Sequence, residues 1–329
     1  MRDDRFDAFS ALLLELYRVS AEEPLETYQD AVLNLIKPLV PFDTCMWGTA
    51  TYLPGQGMDI HTIHLHEQSQ DMIDEYAPLK HMDSCAAEMS GLPLVTRGFH
   101  CATRFADRSL AEYREYLRRF GHENVFISAH TNPETGATQW MSLFRADIDQ
   151  HCRVDEVRML DLLSPHLMQG LRHNRARHLE RVTSNGDEVS DALIADARGV
   201  IHYSTPGCDE MLRAEFGENF SRGRLPSPLL AWMCAEPRSF VGRHLVASHR
   251  VRKDLLYVRL RLPRAVDRLA PRQREAAELM AQGLSHKEAA QRLGRSPATV
   301  RNQMQDVYRK LGVRSVAALA QALRQATEL

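Results

Sequence analysis

Apolar residues recur along this chain with two periods, and the switches between them mark its elements. Near the amino end Phe9, Leu12, Leu13 and Leu16 are spaced as on one helix face, as are Leu25, Tyr28, Val32, Leu35, Ile36 and Leu39. The period then drops to two. Thr44 to Leu53 and Met58 to His66 read as strands on either side of Pro54-Gly55-Gln56-Gly57, a hairpin signature. A second hairpin is predicted from Asn124 to His130 and Gln139 to Ala146, around Asn132-Pro133-Glu134-Thr135-Gly136. Residues 69–79 and 107–120 between the hairpins read as helical. A long helix from about Asp155 to Arg181 follows, striped by Leu160, Leu163, Leu167 and Leu171 and carrying Pro165 at a position that can kink it. Helices flanking an antiparallel sheet predict an α/β sandwich for residues 1–182.

The polar, turn-rich stretch Thr183-Ser184-Asn185-Gly186-Asp187 predicts a boundary. Beyond it, Ala192 to Tyr203 reads as two short strands with Arg198-Gly199 at the turn, and Cys208 to Phe216 as a helix. Ser239 to Leu262 alternates like two more strands, with Leu255, Tyr257, Arg259 and Arg261 on one face and Leu256, Val258, Leu260 and Leu262 on the other. These elements make a small α+β middle domain, 187–262. A second boundary falls at about Pro263 to Arg268.

Residues 265–329 read as four short helices. Pro271 suits a first helical position, and Gly283 can end that helix in the left-handed conformation. Ser285-His286-Lys287-Glu288 fits a capping box, and that helix stops at Gly294. Ser296 caps a third helix that begins at Pro297 and runs to about Leu311. The fourth starts at Ser315, with Val316, Leu319, Ala320 and Leu323 along one stripe.

Charge changes the picture of this tail. Residues 263–329 carry twelve Lys and Arg against six Asp and Glu, while the rest of the chain carries 29 against 37. A basic module on an acidic body is the electrostatic footprint of a nucleic-acid binder. On the third helix Val300, Met304, Val307 and Leu311 share one face, predicted to dock on the other helices. Arg301, Asn302, Gln305 and Arg309 share the roughly opposite one. Arg can bond guanine bidentately and Asn or Gln can bond adenine, on a helix whose diameter fits the major groove.

This segment resembles the helix-turn-helix domain of LuxR-type transcription regulators. The resemblance rests on Leu269, Arg272, Glu275, Gly283, Ser285, Lys287, Glu288, Ala290, Leu293, Ser296, Thr299, Val300, Val307, Lys310, Leu311 and Val313. It implies that Arg301, Asn302 and Gln305 read bases and that Lys287, Thr299 and Arg309 contact backbone phosphates. It also implies that the fourth helix, through Val316, Leu319, Ala320 and Leu323, forms the DNA-bound dimer contact. Three positions depart from the family: Ala270 where a threonine cap is usual, Gln303 where histidine is frequent, and Ala289 where isoleucine is. None faces the groove. The element order of residues 1–182 is similar to GAF-type sensory domains, and that of 187–262 to a shortened PAS domain.

A sensory sheet implies an apolar cleft with a few polar groups. Its candidate lining residues are Trp47, Tyr52, Tyr76, Cys85, Phe126 and Trp140. No clear acyl-homoserine-lactone receptor pattern accompanies them. His61, His64 and His66 lie in one strand with His64 and His66 sharing a face; a hydrogen-bonded strand edge is favoured over a metal site, so no metal and no cofactor are expected. Cys45, Cys85, Cys101, Cys152, Cys208 and Cys234 are scattered without CxxC spacing, which suits a reducing cytoplasm. No apolar run nears membrane-spanning length. No Walker loop, GxSxG, HExxH or GxGxxG is present, so an enzyme is not expected. The β/α alternation of a phosphorylated receiver is also missing.

The expectation is a cytoplasmic, sequence-specific DNA-binding regulator, α+β in its first two domains and all-α in its last. It would work as a homodimer on an inverted-repeat operator in double-stranded DNA, respond to a small-molecule effector, and have RNA polymerase as a further candidate partner. The alternative is a regulator that senses nothing, whose amino-terminal domains serve dimerisation or protein–protein contact.

Overall fold

The computed structural model describes residues 2–133, 136–183, 191–235, 239–252 and 255–327. The boundary expected at 183–187 therefore lies outside the described residues beyond Thr183, as do Glu134 and Thr135 of the second hairpin turn. The chain forms two compact units, residues 1–178 and 179–329.

The first unit opens with α1 (Arg2–Glu22) and α2 (Tyr28–Ile36), followed by the hairpin β1 (Thr44–Leu53) and β2 (Gly57–His66). Next come α3 (Asp71–Leu79), α4 (Ser84–Met89), β3 (Val95–His100), α5 (Cys101–Arg104) and α6 (Ala111–Arg119). The second hairpin is β4 (Asn124–Thr131) and β5 (Ala137–Arg145), and α7 (Val154–Thr183) closes the unit. The strands pair antiparallel in the order β2-β1-β5-β4-β3.

Side-chain alternation then sorts the core into two layers. Cys45, Trp47, Phe126, Met141 and Leu143 face a core with α1, α2 and the leucine stripe of α7. Their neighbours Met46, Val125, Ile127, Trp140 and Phe144 face the other way, toward α3, α4 and α6. Helices on both sheet faces give the expected sandwich.

Two features fix α7. Arg145 at the end of β5 makes a buried bidentate pair with Glu156 (3.1 and 2.8 Å) and donates from Nε to the Pro41 carbonyl. Gly170 leaves no room for a side chain, since a Cβ there would sit 2.4 Å from the Tyr28 hydroxyl and 2.7 Å from the Ser20 hydroxyl. The helix continues through Pro165.

The sequence did not announce α4, β3 or α5. β3 reads VTRGFH, an edge strand with Arg97 and Gly98 breaking the apolar alternation, and the backbone of Thr96 is pinned by Asp161 Oδ1 of α7 at 2.8 Å.

The second unit contains a smaller sheet and the helical module. β6 (Asp191–Asp196), β7 (Ile201–Ser204), α8 (Cys208–Phe216), α9 (Ser227–Ala235), β8 (Phe240–Val241), β9 (Val246–Arg252) and β10 (Leu255–Arg261) form it, in strand order β7-β6-β10-β9-β8. Counted within each sheet, this order is the same as in the first unit. Leu256, Val258 and Leu260 pack with Leu193, Cys208, Leu212 and Leu229 under α8 and α9, as the alternation predicted, whereas Leu262, expected on the same face, lies past the end of β10 and is exposed. The opposite face departs from that pattern, because Tyr257 and Arg261 are buried as well. The strand–turn–strand–helix order is present, and α9 and β8 are additions.

The module follows as α10 (Pro271–Ala281), α11 (His286–Arg292), α12 (Pro297–Leu311) and α13 (Val316–Thr327). The join between sheet and module is an ion pair. Arg261 donates from both terminal nitrogens to Asp267 (2.6 and 2.7 Å), and Asp267 also accepts from the Arg264 amide. Burial pushes the Asp267 carboxyl up, but the Arg261 and Arg264 hydrogen bonds outweigh it and hold it below its ordinary range.

Candidate nucleic-acid interface and ligand cavity

The interface is built from the caps inward. Ser285 Oγ accepts from the Glu288 amide while Glu288 accepts from the Ser285 amide at 2.8 Å, closing the capping box of α11. Ser296 Oγ accepts from the Thr299 amide at 3.1 Å and starts α12, and Gly312 ends it at φ +66°, a left-handed backbone that glycine adopts without strain. Ala270 offers no capping oxygen to α10; the Gln273 side-chain carbonyl accepts from the Ala270 amide at 3.3 Å and also from Lys310 Nζ at 2.8 Å. Arg295 braces the turn between α11 and α12, donating to Glu275 on α10 and to Gln303 on α12. Its role was not legible beforehand, because a basic residue between two helices reads equally well as a solvated loop.

With α12 so held, its two faces separate as the spacing predicted. Val300, Met304 and Val307 are fully buried in a core with Ala276, Ala277, Ala289 and Ala290. Arg301, Asn302, Gln305 and Arg309 are exposed, as is Lys287 on α11. Thr299 is exposed too, its hydroxyl 2.8 Å from that of Ser296. Arg309 pairs with Asp306 on its own helix, a contact that water and a phosphate can readily exchange.

The dimer-contact stripe is placed differently. Leu319 and Leu323 are buried in the module's own core, so they are not free to meet a second copy, whereas Val316 and part of Ala320 stay on the surface. The stripe expected from spacing is therefore the docking face of α13, because a twelve-residue amphipathic helix must first bury its apolar side against its own module.

The second site is a cavity of about 80 Å³ in the first unit. It lies on the face of β1, β2, β4 and β5 that carries Met46, Met58, Ile60, Ile127, Ala129 and Trp140, and is closed by α3, α4 and α6. One water needs roughly 10–15 Å³ on the same scale, so the space exceeds a single solvent molecule several-fold.

Of the six lining residues read from the sequence, Tyr76, Cys85 and Trp140 line it. Trp47 and Phe126 do not: the period-two alternation puts them on the opposite sheet face, in the core with α1, α2 and α7. Tyr52, in the distal part of β1, is partly exposed and outside the lining.

Asp83, Tyr113, Tyr116 and His122 line the cavity as well, though none was expected there from the sequence. Tyr113, Tyr116 and Leu117 were visible as an apolar stripe at helical spacing, but Asp83 had no such signal. Asp83 caps α4, accepting from the Ala86 amide at 2.9 Å and from the Tyr76 hydroxyl at 3.0 Å. Burial raises its carboxyl pKa, against hydrogen bonds from Ala86, Tyr76 and Tyr113 that lower it. His122 stacks on Phe144 at 3.7 Å and accepts from Gln68 Nε2 at 3.1 Å. Burial depresses its imidazole to about 3, so the ring is neutral. Burial likewise pushes the Cys101 thiol up to about 12, which leaves it un-ionised. The result is an apolar chamber with one buried carboxyl and a few hydroxyls, suited to holding a small molecule and lacking an activated nucleophile among these groups.

No helix among the described residues is long and apolar enough to cross a membrane.

Comparison with known proteins adds to this geometry. Residues 259–311 match the family model of sigma-70, region 4. Among solved structures, the chain is similar to the N-acylhomoserine-lactone-dependent LuxR family transcription factor CepR2 of Burkholderia cenocepacia, at 13% identity and TM-score 0.40, over 52% of this chain and 98% of that one. Similarity to SdiA of Escherichia coli extends over 96% of this chain and 97% of that one, at 13% identity and TM-score 0.37. A phycoerythrobilin-bound GAF domain of a cyanobacterial phytochrome is similar at 15% identity and TM-score 0.34, over 52% of this chain and 96% of that one. No curated protein matches the sequence. The sigma-70 region 4 match falls on α10, α11 and α12, the helices whose geometry is given above.

Proposed function

We propose that the chain is a transcription regulator whose sequence-specific DNA binding responds to a small molecule held in the first unit. The observation that carries this reading is the division of α12: Val300, Met304 and Val307 are sealed in the core, and Arg301, Asn302 and Gln305 are left exposed on the outer side. In this reading those three side chains reach base edges in the major groove, while Lys287, Thr299 and Arg309 meet phosphates. The effector is uncharged and largely apolar, of a size the cavity admits, with a hydrogen-bonding group for Asp83. It acts by binding one arrangement of the chain better than another. The protein works as a homodimer, with Val316 and Ala320 of α13 at the contact between DNA-bound modules and RNA polymerase as a further partner. Residues 1–182, 187–262 and 265–329 serve as sensor, coupler and reader.

A test is to let the purified full-length chain select from a pool of random duplexes, with and without the small molecules extracted from it and identified by mass spectrometry. The reading expects an enriched inverted repeat, with half-sites about one helical turn apart or a multiple of it, and an extract that changes the affinity. An unenriched pool would contradict the DNA reading. An extract without effect would contradict the sensing one.

A further inference from the structure

We propose that Asp30, His64 and His66 form a binding site for a divalent metal of the zinc type on the sheet face opposite the cavity. The sequence supplied two imidazoles on one strand face, and the fold brings the third ligand. His64 and His66 stand on the edge strand β2, opposite Trp47 and Cys45 of β1 in the strand register. They therefore face the layer that α2 covers, and Asp30 projects from the first turn of α2. His64 Nε2 and His66 Nδ1 both approach the same carboxylate oxygen, Asp30 Oδ1, at 2.8 and 2.7 Å. The three ligand atoms lie within 4.8 Å of one another.

Two neutral nitrogens and one carboxylate oxygen suit a borderline divalent ion, with water in the remaining position. Zinc bonds such ligands at roughly 2.0–2.2 Å, so tetrahedral ligand atoms stand about 3.3 Å apart. The Asp30 oxygen stands about half an ångström closer than that to each imidazole nitrogen. The member able to yield is Asp30, whose side chain is 46% exposed, while those of His64 and His66 are 20% and 6% exposed and are held by the sheet. An ion entering from the Asp30 side then replaces two hydrogen bonds with three coordinate bonds. It ties the helical cover α2 to the open edge of the sheet.

The test uses full-length, tag-free protein stripped with a chelator and titrated with zinc chloride against a chromophoric zinc indicator. About one equivalent should bind, with affinity at least about tenfold weaker in both His64→Gln and Asp30→Asn. Zinc should raise the Tm of the wild-type chain and leave that of His64→Gln unchanged, with both variants matching the wild type in circular dichroism without metal. Cobalt, in place of zinc, should give the visible bands of a tetrahedral nitrogen–oxygen site. Zinc bound equally by wild type and both variants, or binding only at millimolar concentration, would overturn the site and leave the trio as a hydrogen-bonded latch.

Discussion

The cavity of the first unit and the outer face of α12 are built on opposite plans. In the cavity the chemistry points inward, and burial shapes it: Asp83 is pushed toward its neutral form, His122 is held neutral, and Cys101 is kept a thiol. On α12 the chemistry points outward, and burial does nothing to it beyond anchoring the other side of the helix through Val300, Met304 and Val307. A site that holds a ligand must surround it, so its residues come from many elements. A site that reads a groove must project, so one helix can supply it. The two sites also sit on separate cores, so damage to one should spare the other.

The largest effect should come from breaking the outward site at its anchor. Val307→Asp places an unpaired carboxylate in the core of the helical module and should cost more than about 4 kcal/mol, unfolding that module. Duplex binding would vanish in a mobility-shift assay, while the first unit should keep its cavity and its bound molecule. Loss of both together would mean that the two sites share one stability.

An intermediate effect tests the inward site through pH. His122 titrates near 3 in the folded chain and near its ordinary value of about 6.5 when unfolded. Between those values the unfolded chain takes up a proton that the native one refuses, so stability is full above about 6.5 and falls as pH drops through that window. From pH 7 to pH 5 the loss from this ring should be about 2 kcal/mol. Urea midpoints should therefore fall less with acid in His122→Gln than in the wild type. Equal slopes would show that the ring is not buried as described.

The same contrast explains what the sequence disclosed. The four carboxyl-terminal helices were legible nearly to the residue, because Pro271, Gly283, Ser285, Gly294, Ser296 and Pro297 are local signals and the helices contact mainly one another. Both hairpins of the first sheet were also legible, from strict alternation and a turn.

The cavity was legible only in part. Aromatic content does not say which sheet face a residue takes, so Trp47 and Phe126 were grouped with Trp140 although one step along a strand separates the faces. Asp83 was invisible because its importance arises from Tyr76 and Tyr113 arriving from other helices. Asp30 was missed for the same reason: its partners are thirty-four and thirty-six residues away. Leu319 and Leu323 taught the converse, since an apolar stripe does not reveal whether its partner is another chain or its own.

The central claim is that α12 reads sequence while its flanks hold backbone, and salt-dependent binding of two variants to the selected duplex and to a scrambled one tests it most directly. Arg301→Ala should lose about tenfold or more in preference for the selected duplex, with little change on the scrambled one. Lys287→Ala should weaken both duplexes alike and lower the slope of log affinity against log salt by about 0.9. Unchanged preference in Arg301→Ala, or a loss confined to the selected duplex in Lys287→Ala, would contradict the assignment of the two residues.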